Sequence, residues 1–509
     1  MFENQPKALY ALALANTGER FGYYTMIAVF SLFLRANFGL SGNTAGLIYG
    51  VFLALVYFLP LVGGIMADKF GYGKMVTIGI IVMFAGYLFL SIPLGGGVMG
   101  YAAMFGALLL VSLGTGLFKG NLQVMVGNLY DAPELSAKRD SGFSIFYMAI
   151  NIGALFAPTA AVRIKEWAEH SLGYSGNDAY HFSFAVACVS LILSMMIYYA
   201  FRSTFKHVEA GAGKNKKTDT AGTEEELTPQ QTKERIVALC LVFAVVIFFW
   251  MSFHQNGLTL TFFADEFVSP KSEGVQTMAF DVINLVMIIF MIYSLMSFFQ
   301  SKTSKAKLIS TVVFLAAVGV LVYKYHNIGG PVDVSAPIFQ QFNPFYVVAL
   351  TPVSMAIFGA LAAKGKEPTA PRKIAYGMII AGSAYLLMVL ASRGLLTPNE
   401  QTAAKAAGET VPFASGNWLI GTYLILTFGE LLLSPMGISF VSKVAPPKYK
   451  GTMMGGWFVA TAIGNLLVSV GGFLWNDIPL TIVWSVFIVL CLLSAGFMFL
   501  MMKRLEKVA

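Results

Sequence analysis

Lys74-Met75-Val76-Thr77-Ile78-Gly79-Ile80-Ile81-Val82-Met83-Phe84-Ala85-Gly86-Tyr87-Leu88-Phe89-Leu90 carries no charge after its first lysine, and the uncharged run continues to Leu94. About 20 such residues are what a helix needs to cross roughly 30 Å of hydrocarbon. The run is continuously apolar. A strand of a membrane barrel would instead alternate apolar and polar residues over about ten positions. In lipid the backbone must satisfy its own hydrogen bonds, which leaves the α-helix. Runs of this kind recur along all 509 residues, which are 57% hydrophobic and only 12% charged. A soluble domain averages about 25% charged residues. The chain therefore reads as an all-α membrane protein.

Working outward from 74–94, fourteen candidate spans appear. Six lie near 8–37, 43–67, 74–94, 101–130, 141–163 and 179–202. A polar stretch at 203–234 follows, with Lys214, Lys216 and Lys217 and then Glu224, Glu225 and Glu226, and reads as a solvated connector. Eight more spans lie near 235–263, 278–300, 306–324, 343–364, 372–392, 417–443, 450–474 and 481–503. The domain reading is an N-terminal six-helix lobe over 1–202, a cytoplasmic linker over 203–234, and a C-terminal lobe over 235–509 with an inserted helical hairpin at about 278–324.

The net charge of +8 has a membrane explanation and does not call for nucleic acid. With the N-terminus inside, 25 of the 34 basic residues fall in cytoplasmic loops or tails. Seven fall outside and two, Arg20 and Lys119, lie within spans. Cytoplasmic loops are enriched in Lys and Arg, and one miscounted helix would destroy the bias. Both termini are thus expected in the cytoplasm, in a multi-pass protein of the plasma membrane, the inner membrane of a bacterium. Asn16, Glu19 and Arg20 interrupt the first apolar run and no small-residue cleavage site follows, so this run is expected to stay as a helix. Cys188, Cys240 and Cys491 sit in apolar runs without ligand spacing, and the five histidines are scattered. No metal or cofactor is expected. Metalloprotease, nucleophile-elbow and phosphate-loop motifs are absent, which argues against an enzyme.

Charged residues inside spans mark sites, because each costs several kcal/mol unless paired or facing water. Glu19, Arg20, Lys119 and Glu430 qualify. One reading is structural, for instance an ion pair of Glu19 with Lys119 joining two helices. The other is a ligand with two ends. Arg20 and Lys119 in the first lobe would face a carboxylate, and Glu430 in the second an amine. Tyr23, Tyr24, Tyr57, Tyr147 and Trp457 are candidate pocket walls, offering apolar area with a polar tip. Asn151 and Asn343 suit a peptide backbone or interhelical bonding. Ser434 precedes Pro435, which should loosen its helix.

Several segments resemble known motifs. Gly64-Ile65-Met66-Ala67-Asp68-Lys69-Phe70-Gly71 resembles the loop signature of the major facilitator superfamily, in which Asp68 would cap a helix or pair with a basic residue. Gly18-Glu19-Arg20-Phe21-Gly22-Tyr23-Tyr24, Gly116-Leu117-Phe118-Lys119-Gly120-Asn121 and Phe146-Tyr147-Met148-Ala149-Ile150-Asn151-Ile152-Gly153 look like helix 1, 4 and 5 motifs of the proton-coupled oligopeptide transporters. Phe342-Asn343-Pro344, Gly429-Glu430-Leu431-Leu432-Leu433-Ser434-Pro435 and Met453-Met454-Gly455-Gly456-Trp457-Phe458 resemble their helices 8, 10 and 11, in the family's order. The resemblance implies a major facilitator fold of two six-helix lobes plus an extra helix pair, fourteen transmembrane helices in all. It also implies a monomer in the lipid bilayer that imports di- and tripeptides with protons by alternating access. Substrate contacts would fall to Arg20, Tyr23, Tyr24, Tyr57, Lys119, Tyr147, Asn151, Asn343, Glu430, Ser434 and Trp457. Proton coupling would fall to Glu19, Lys119, Glu430 and His254. Two departures stand out. The first acid of the helix 1 motif is Asn16, and an acid often found before Gln255 is His254. The alternative reading is therefore the same scaffold moving another small anion or zwitterion, by proton-independent facilitated diffusion.

Overall fold

A computed structural model describes residues 5–136, 138–210, 227–446 and 449–508. The charged stretch from Lys214 to Glu226, and Lys448, lie outside the described residues. Thirteen described segments are long and apolar enough to cross a bilayer. A further helix, α1 (Lys7–Phe38), falls short on apolarity because Asn16, Glu19 and Arg20 sit in its middle. Its 32 residues span about 48 Å at 1.5 Å per residue, ample for a membrane. The fourteen expected helices are thus all present.

The first bundle holds α1, α2 (Gly42–Phe70), α3 (Tyr72–Leu90), α4 (Val98–Asn128), α5 (Arg139–Leu172) and α6 (Tyr180–Ala200). Helix α1 is enclosed by α5 and α6, while α4 packs on α2 and α3. The second bundle holds α7 (Pro229–Phe253), α10 (Phe342–Ala363), α11 (Ala370–Ala391), α12 (Asn417–Val444), α13 (Lys450–Leu466) and α14 (Leu480–Val508). Between α7 and α10 come α8 (Val282–Gln300) and α9 (Ser304–His326), which pack on each other, with α8 also against α10.

Several boundaries differ from the sequence reading for local reasons. Helix α7 starts at Pro229, inside the expected linker, because Thr228 and Gln231 form a capping box. Helix α8 starts at Val282 rather than 278, because the Asp281 carboxylate caps it by accepting from the Ile283 N–H at 2.8 Å. Residues 275–280 form a separate short helix. Helix α5 runs nine residues past the expected 163, its polar end held by Arg163–Glu166 and Lys165–Glu169 pairs at helical spacing. The loops also hold a two-residue antiparallel strand pair, Lys271–Ser272 with Val332–Asp333.

Two helices break at one level. Helix α7 passes through a 3-10 turn, His254–Gly257, before resuming at Thr259–Phe267. Helix α13 pauses after Leu466 and resumes at Ser469–Phe473. The breaks satisfy each other's polar groups. Gln255 Nε2 donates to the Val468 carbonyl at 3.0 Å, and Tyr423 donates its hydroxyl to the Asn256 carbonyl at 3.1 Å. Interrupted helices survive in lipid only with such substitute partners.

The bundles meet along α2 with α13 and along α5 with α10. At the face opposite the linker, α2 approaches α13 and its continuation through glycines. A Cβ on Gly50 would lie 2.8 Å from the Leu466 carbonyl oxygen, and one on Gly46 would lie 3.0 Å from Gly472 Cα. Small residues let helices approach where hydrophobicity gives no drive between them. At the same face Arg35 pairs with Glu266, and Gln340 donates to the Ala28 carbonyl at 3.1 Å. At the linker face, the ion pairs among the described residues, such as Lys507–Glu234 and Arg372–Glu506, stay within one bundle. The bundles are therefore closed together at the face opposite the linker. A Gly50→Leu variant should lose this closure. A cysteine placed at the buried Thr261 should become reactive to a membrane-impermeant maleimide in Gly50→Leu and stay protected when Gly50 is kept.

Candidate functional site

Close packing sets the site's first half. The Ser194 hydroxyl donates to the Ala15 carbonyl at 2.6 Å, and Thr17 donates to the Ala149 carbonyl at 3.0 Å, fixing α1 against α6 and α5. This holds Glu19 and Arg20 in the bundle's interior, at 0% and 2% exposure. The guanidinium of Arg20 grips the Glu19 carboxylate with two hydrogen bonds, the Nε one at 2.5 Å. The partner of Glu19 is thus its chain neighbour and not Lys119. Arg20 also lies 4.6 Å from the centre of the Tyr23 ring. Tyr23 is buried, edge-on to Tyr24 and stacked on Phe52.

Lys119 is positioned by the α2–α4 contact. A Cβ on Gly63 would fall 2.1 Å from the Gly116 carbonyl oxygen, so only glycine permits this approach. Asn121 fastens the same contact by donating to the Gly63 carbonyl at 3.1 Å. The Lys119 ammonium then sits 4.1 Å from the centre of the Tyr57 ring, a cation–π geometry across the two helices. Glu19 and Arg20 are within electrostatic reach of it.

Glu430 comes from α12 in the second bundle and is 9% exposed. Asn343, at the start of α10, donates to its Oε2 at 2.9 Å and to the Thr427 hydroxyl at 3.0 Å. Asn343 thus orients the carboxylate. Tyr24, Tyr57 and Tyr147 of the first bundle all lie within electrostatic reach of Glu430. Tyr147 is 46% exposed, so the cleft between the bundles opens beside it.

Other expected residues are placed differently. Asn151 spends its amide on the Tyr147 carbonyl one turn back, at 3.0 Å. Trp457 is 3% exposed and packs across Gly437 of α12, within its own bundle. Ser434 is half-buried on α12, which runs unbroken through Pro435. Asp68 lies in the last turn of α2 and accepts from the Tyr72 hydroxyl at 2.6 Å; among the described residues its partner is a hydroxyl in place of a basic side chain. His254 lies in the α7 break. Its Nδ1 donates to Asn465 Oδ1 at 2.5 Å, its ring stacks on Trp250, and Tyr57 is 6.0 Å away between ring centres. Asn16 is buried, and its side-chain nitrogen has no hydrogen-bond partner among the described residues.

Sequence reasoning missed Thr427, Asn465 and the pair Arg35–Glu266. That pair crosses between the bundles, Glu266 also accepts from the Trp475 indole at 3.3 Å, and Arg35 caps the Phe262 ring at 4.5 Å. The available signal was opposite charges just beyond two apolar runs on the same side. Among the described residues no cluster of metal-ligating side chains occurs.

The chain matches the POT family over residues 73–222 and 324–483. It is 27% identical to dipeptide and tripeptide permease B of Xenorhabdus bovienii over 481 residues, covering 92% of this chain and 86% of that one. It is 28% identical to the di-/tripeptide transporter of Lactococcus lactis subsp. cremoris, over 92% of this chain and 89% of that one. It is also 28% identical to the uncharacterized transporter YclF of Bacillus subtilis, over 99% and 95%. Among solved structures, a peptide transporter POT in complex with sulfate superposes with a TM-score of 0.74 at 22% identity, covering 100% of this chain and 96% of that one. A POT family transporter in complex with 5-aminolevulinic acid gives 0.73 at 20% identity, over 100% and 98%. A multi-pass architecture of membrane-length helices, charged groups buried in both bundles and a family match over most of the chain agree: this protein is a transporter, not an enzyme, and belongs to the POT family of proton-dependent oligopeptide transporters within the major facilitator superfamily.

Proposed function

We propose that the chain imports di- and tripeptides with protons across the cytoplasmic membrane of a bacterium, with both termini and the linker inside. One observation carries the reading. Arg20 and Glu430, from opposite bundles, lie within electrostatic reach of the same two tyrosines, Tyr24 and Tyr57; Lys119 stands over the Tyr57 ring, and Tyr147 is within reach of Glu430. A short peptide is a zwitterion of that polarity. Its carboxylate goes to Arg20 and Lys119 and its ammonium to Glu430, while Tyr24, Tyr57 and Tyr147 flank its side chains and the buried Tyr23 supports Arg20. The names of the permeases from Xenorhabdus and Lactococcus support the same substrate class.

The geometry also suggests how a proton enters the cycle. The Arg20 fork is filled by Glu19. A peptide carboxylate that takes Arg20 leaves Glu19 buried without its partner, which is unfavourable for an anion. A proton on Glu19 removes that charge and frees the guanidinium. Peptide and proton then bind together, and Glu430 is the corresponding titratable group in the second bundle. His254, within electrostatic reach of Lys119, modulates the first half. The closed face, with Arg35–Glu266 across it, is the periplasmic gate in this reading, so the structure represents an inward-facing state.

A second reading rests on Asn16 and His254. Asn16 cannot carry a proton, and His254 is committed to Asn465. If these changes break coupling, the same site equilibrates small zwitterions without a proton gradient. Proteoliposomes with equal dipeptide on both sides and an inward proton gradient separate the two. Accumulation that a protonophore collapses is the expected result. Equilibration alone, at every pH, selects the uniport.

Three variants probe the residues. Glu430→Gln should reduce dipeptide uptake at least tenfold while the protein stays folded in the membrane, and uptake at wild-type affinity would remove Glu430 from the site. Arg20→Met strands Glu19 and should destabilise the fold by about 3–5 kcal/mol, whereas Glu19→Met with Arg20→Met should recover most of that loss. Thermal unfolding in detergent measures both. The double variant should still fail to transport, because the cation for the carboxylate is gone.

A further inference from the structure

The hairpin α8–α9 does not close flush onto the second bundle. A cleft of about 540 Å³ opens between them near the face opposite the linker, within the roughly 300–1,000 Å³ of small-molecule sites. Its walls are Leu285 and Ile288 of α8, Leu321 of α9, Phe345 and Tyr346 of α10 and Ile420 of α12. A second hollow of about 580 Å³ is continuous with it through Tyr325 and His326, and its polar rim includes Glu273. Together they form one slot, apolar inside and polar at the mouth, at the end of the hairpin opposite the linker.

Two further observations point to an occupant. Asn284 lines the apolar part and is 2% exposed. Its amide nitrogen donates to the Met278 carbonyl at 3.0 Å, but its Oδ1 is buried without a hydrogen-bond partner. A buried acceptor left unpaired is unfavourable and calls for a donor. At the mouth, the Lys324 ammonium is taken up by Asp281, while Glu273 has no ion-pair partner among the described residues. The residual field at the mouth is therefore negative, which suits a cationic group and disfavours an anionic one.

We propose that this slot binds one ethanolamine phospholipid from the leaflet at that face. One acyl chain lies between α8, α9 and α10. The headgroup sits at the mouth, its ammonium, the only hydrogen-bond donor the lipid carries, directed at Glu273 and Asn284 Oδ1. The lipid would seal the seam between the hairpin and the transport bundle, a role for the inserted pair that does not depend on which solute the protein carries.

Native mass spectrometry of the full-length protein, released from vesicles of equal parts phosphatidylethanolamine and phosphatidylglycerol, tests this. The wild type should retain a single phosphatidylethanolamine, at least fivefold over phosphatidylglycerol. Glu273→Gln should bring that ratio close to one. Ile288→Trp fills the slot and should lose the adduct while keeping wild-type helicity and elution. If Ile288→Trp does not fold, Ala279→Phe fills the same slot from the short helix before α8 and replaces it. Equal retention of both lipids by the wild type, no adduct of defined stoichiometry, or an adduct that persists in a folded slot-filling variant would overturn the proposal.

Discussion

A carboxylate and a guanidinium side by side on one buried helix, Glu19 and Arg20, form the constraint around which the first bundle is built. Neither charge is tolerable alone at that depth. Their bidentate bond makes the pair neutral as a unit, but only while both are held in register. That register explains why α1 is gripped on two sides. Hydroxyls of Ser194 and Thr17 stitch it to α6 and α5, and few of its middle residues reach the surface. It also explains why the pair is adjacent in sequence and not interhelical. An interhelical pair would tie α1 to α4, whereas an adjacent pair leaves Lys119 free to stack on Tyr57.

The second bundle solves the same problem differently. Among the described residues Glu430 has no ion-pair partner; its hydrogen bond comes from the neutral amide of Asn343, which also binds Thr427. The bundles thus present unlike electrostatics across the cleft. One side holds a neutralised pair plus the ammonium of Lys119, and the other holds a carboxyl group oriented by amide and hydroxyl. A ligand with a charge at each end completes both sides at once.

Most of the fold was legible because its driving constraint is one-dimensional. Apolar length fixes the spans, and basic loops test their number. Even the one helix that falls short on apolarity does so through Asn16, Glu19 and Arg20, the residues that flagged the site. Element ends were less legible, since they depend on caps such as Asp281 and Thr228 and on surface pairs such as Lys165–Glu169. At the candidate site, the charges stood out because few structural reasons exist to place them inside apolar spans, and the structure buries Glu19, Arg20 and Glu430. Their partners did not stand out. Asn343 with Thr427 and His254 with Asn465 depend on which helix faces meet, and those residue types occur everywhere. Trp457 shows the opposite error: an aromatic expected at the cleft packs on Gly437 because a glycine in α12 makes room for it.

The proposed alternating-access cycle requires that closure at one face be specific but weak. The closed face meets this by using small residues and few polar links. Helix α2 meets α13 backbone to backbone at Gly46 and Gly50, a contact made of van der Waals attraction that is lost steeply with separation. The charged link across it, Arg35–Glu266, is partly solvated, with side-chain exposures of 27% and 12%. The desolvation of two largely buried charges offsets much of their attraction, and opening the face returns both to water. The broken segments of α7 and α13 lie against the same face, and their freed backbone groups are already paired through Gln255 and Tyr423 within the second bundle. In the proposed cycle, separating the bundles leaves the interrupted helices of the second one paired. The cohesion that must be surrendered lies in the glycine seam, the α5–α10 contact and a handful of polar contacts.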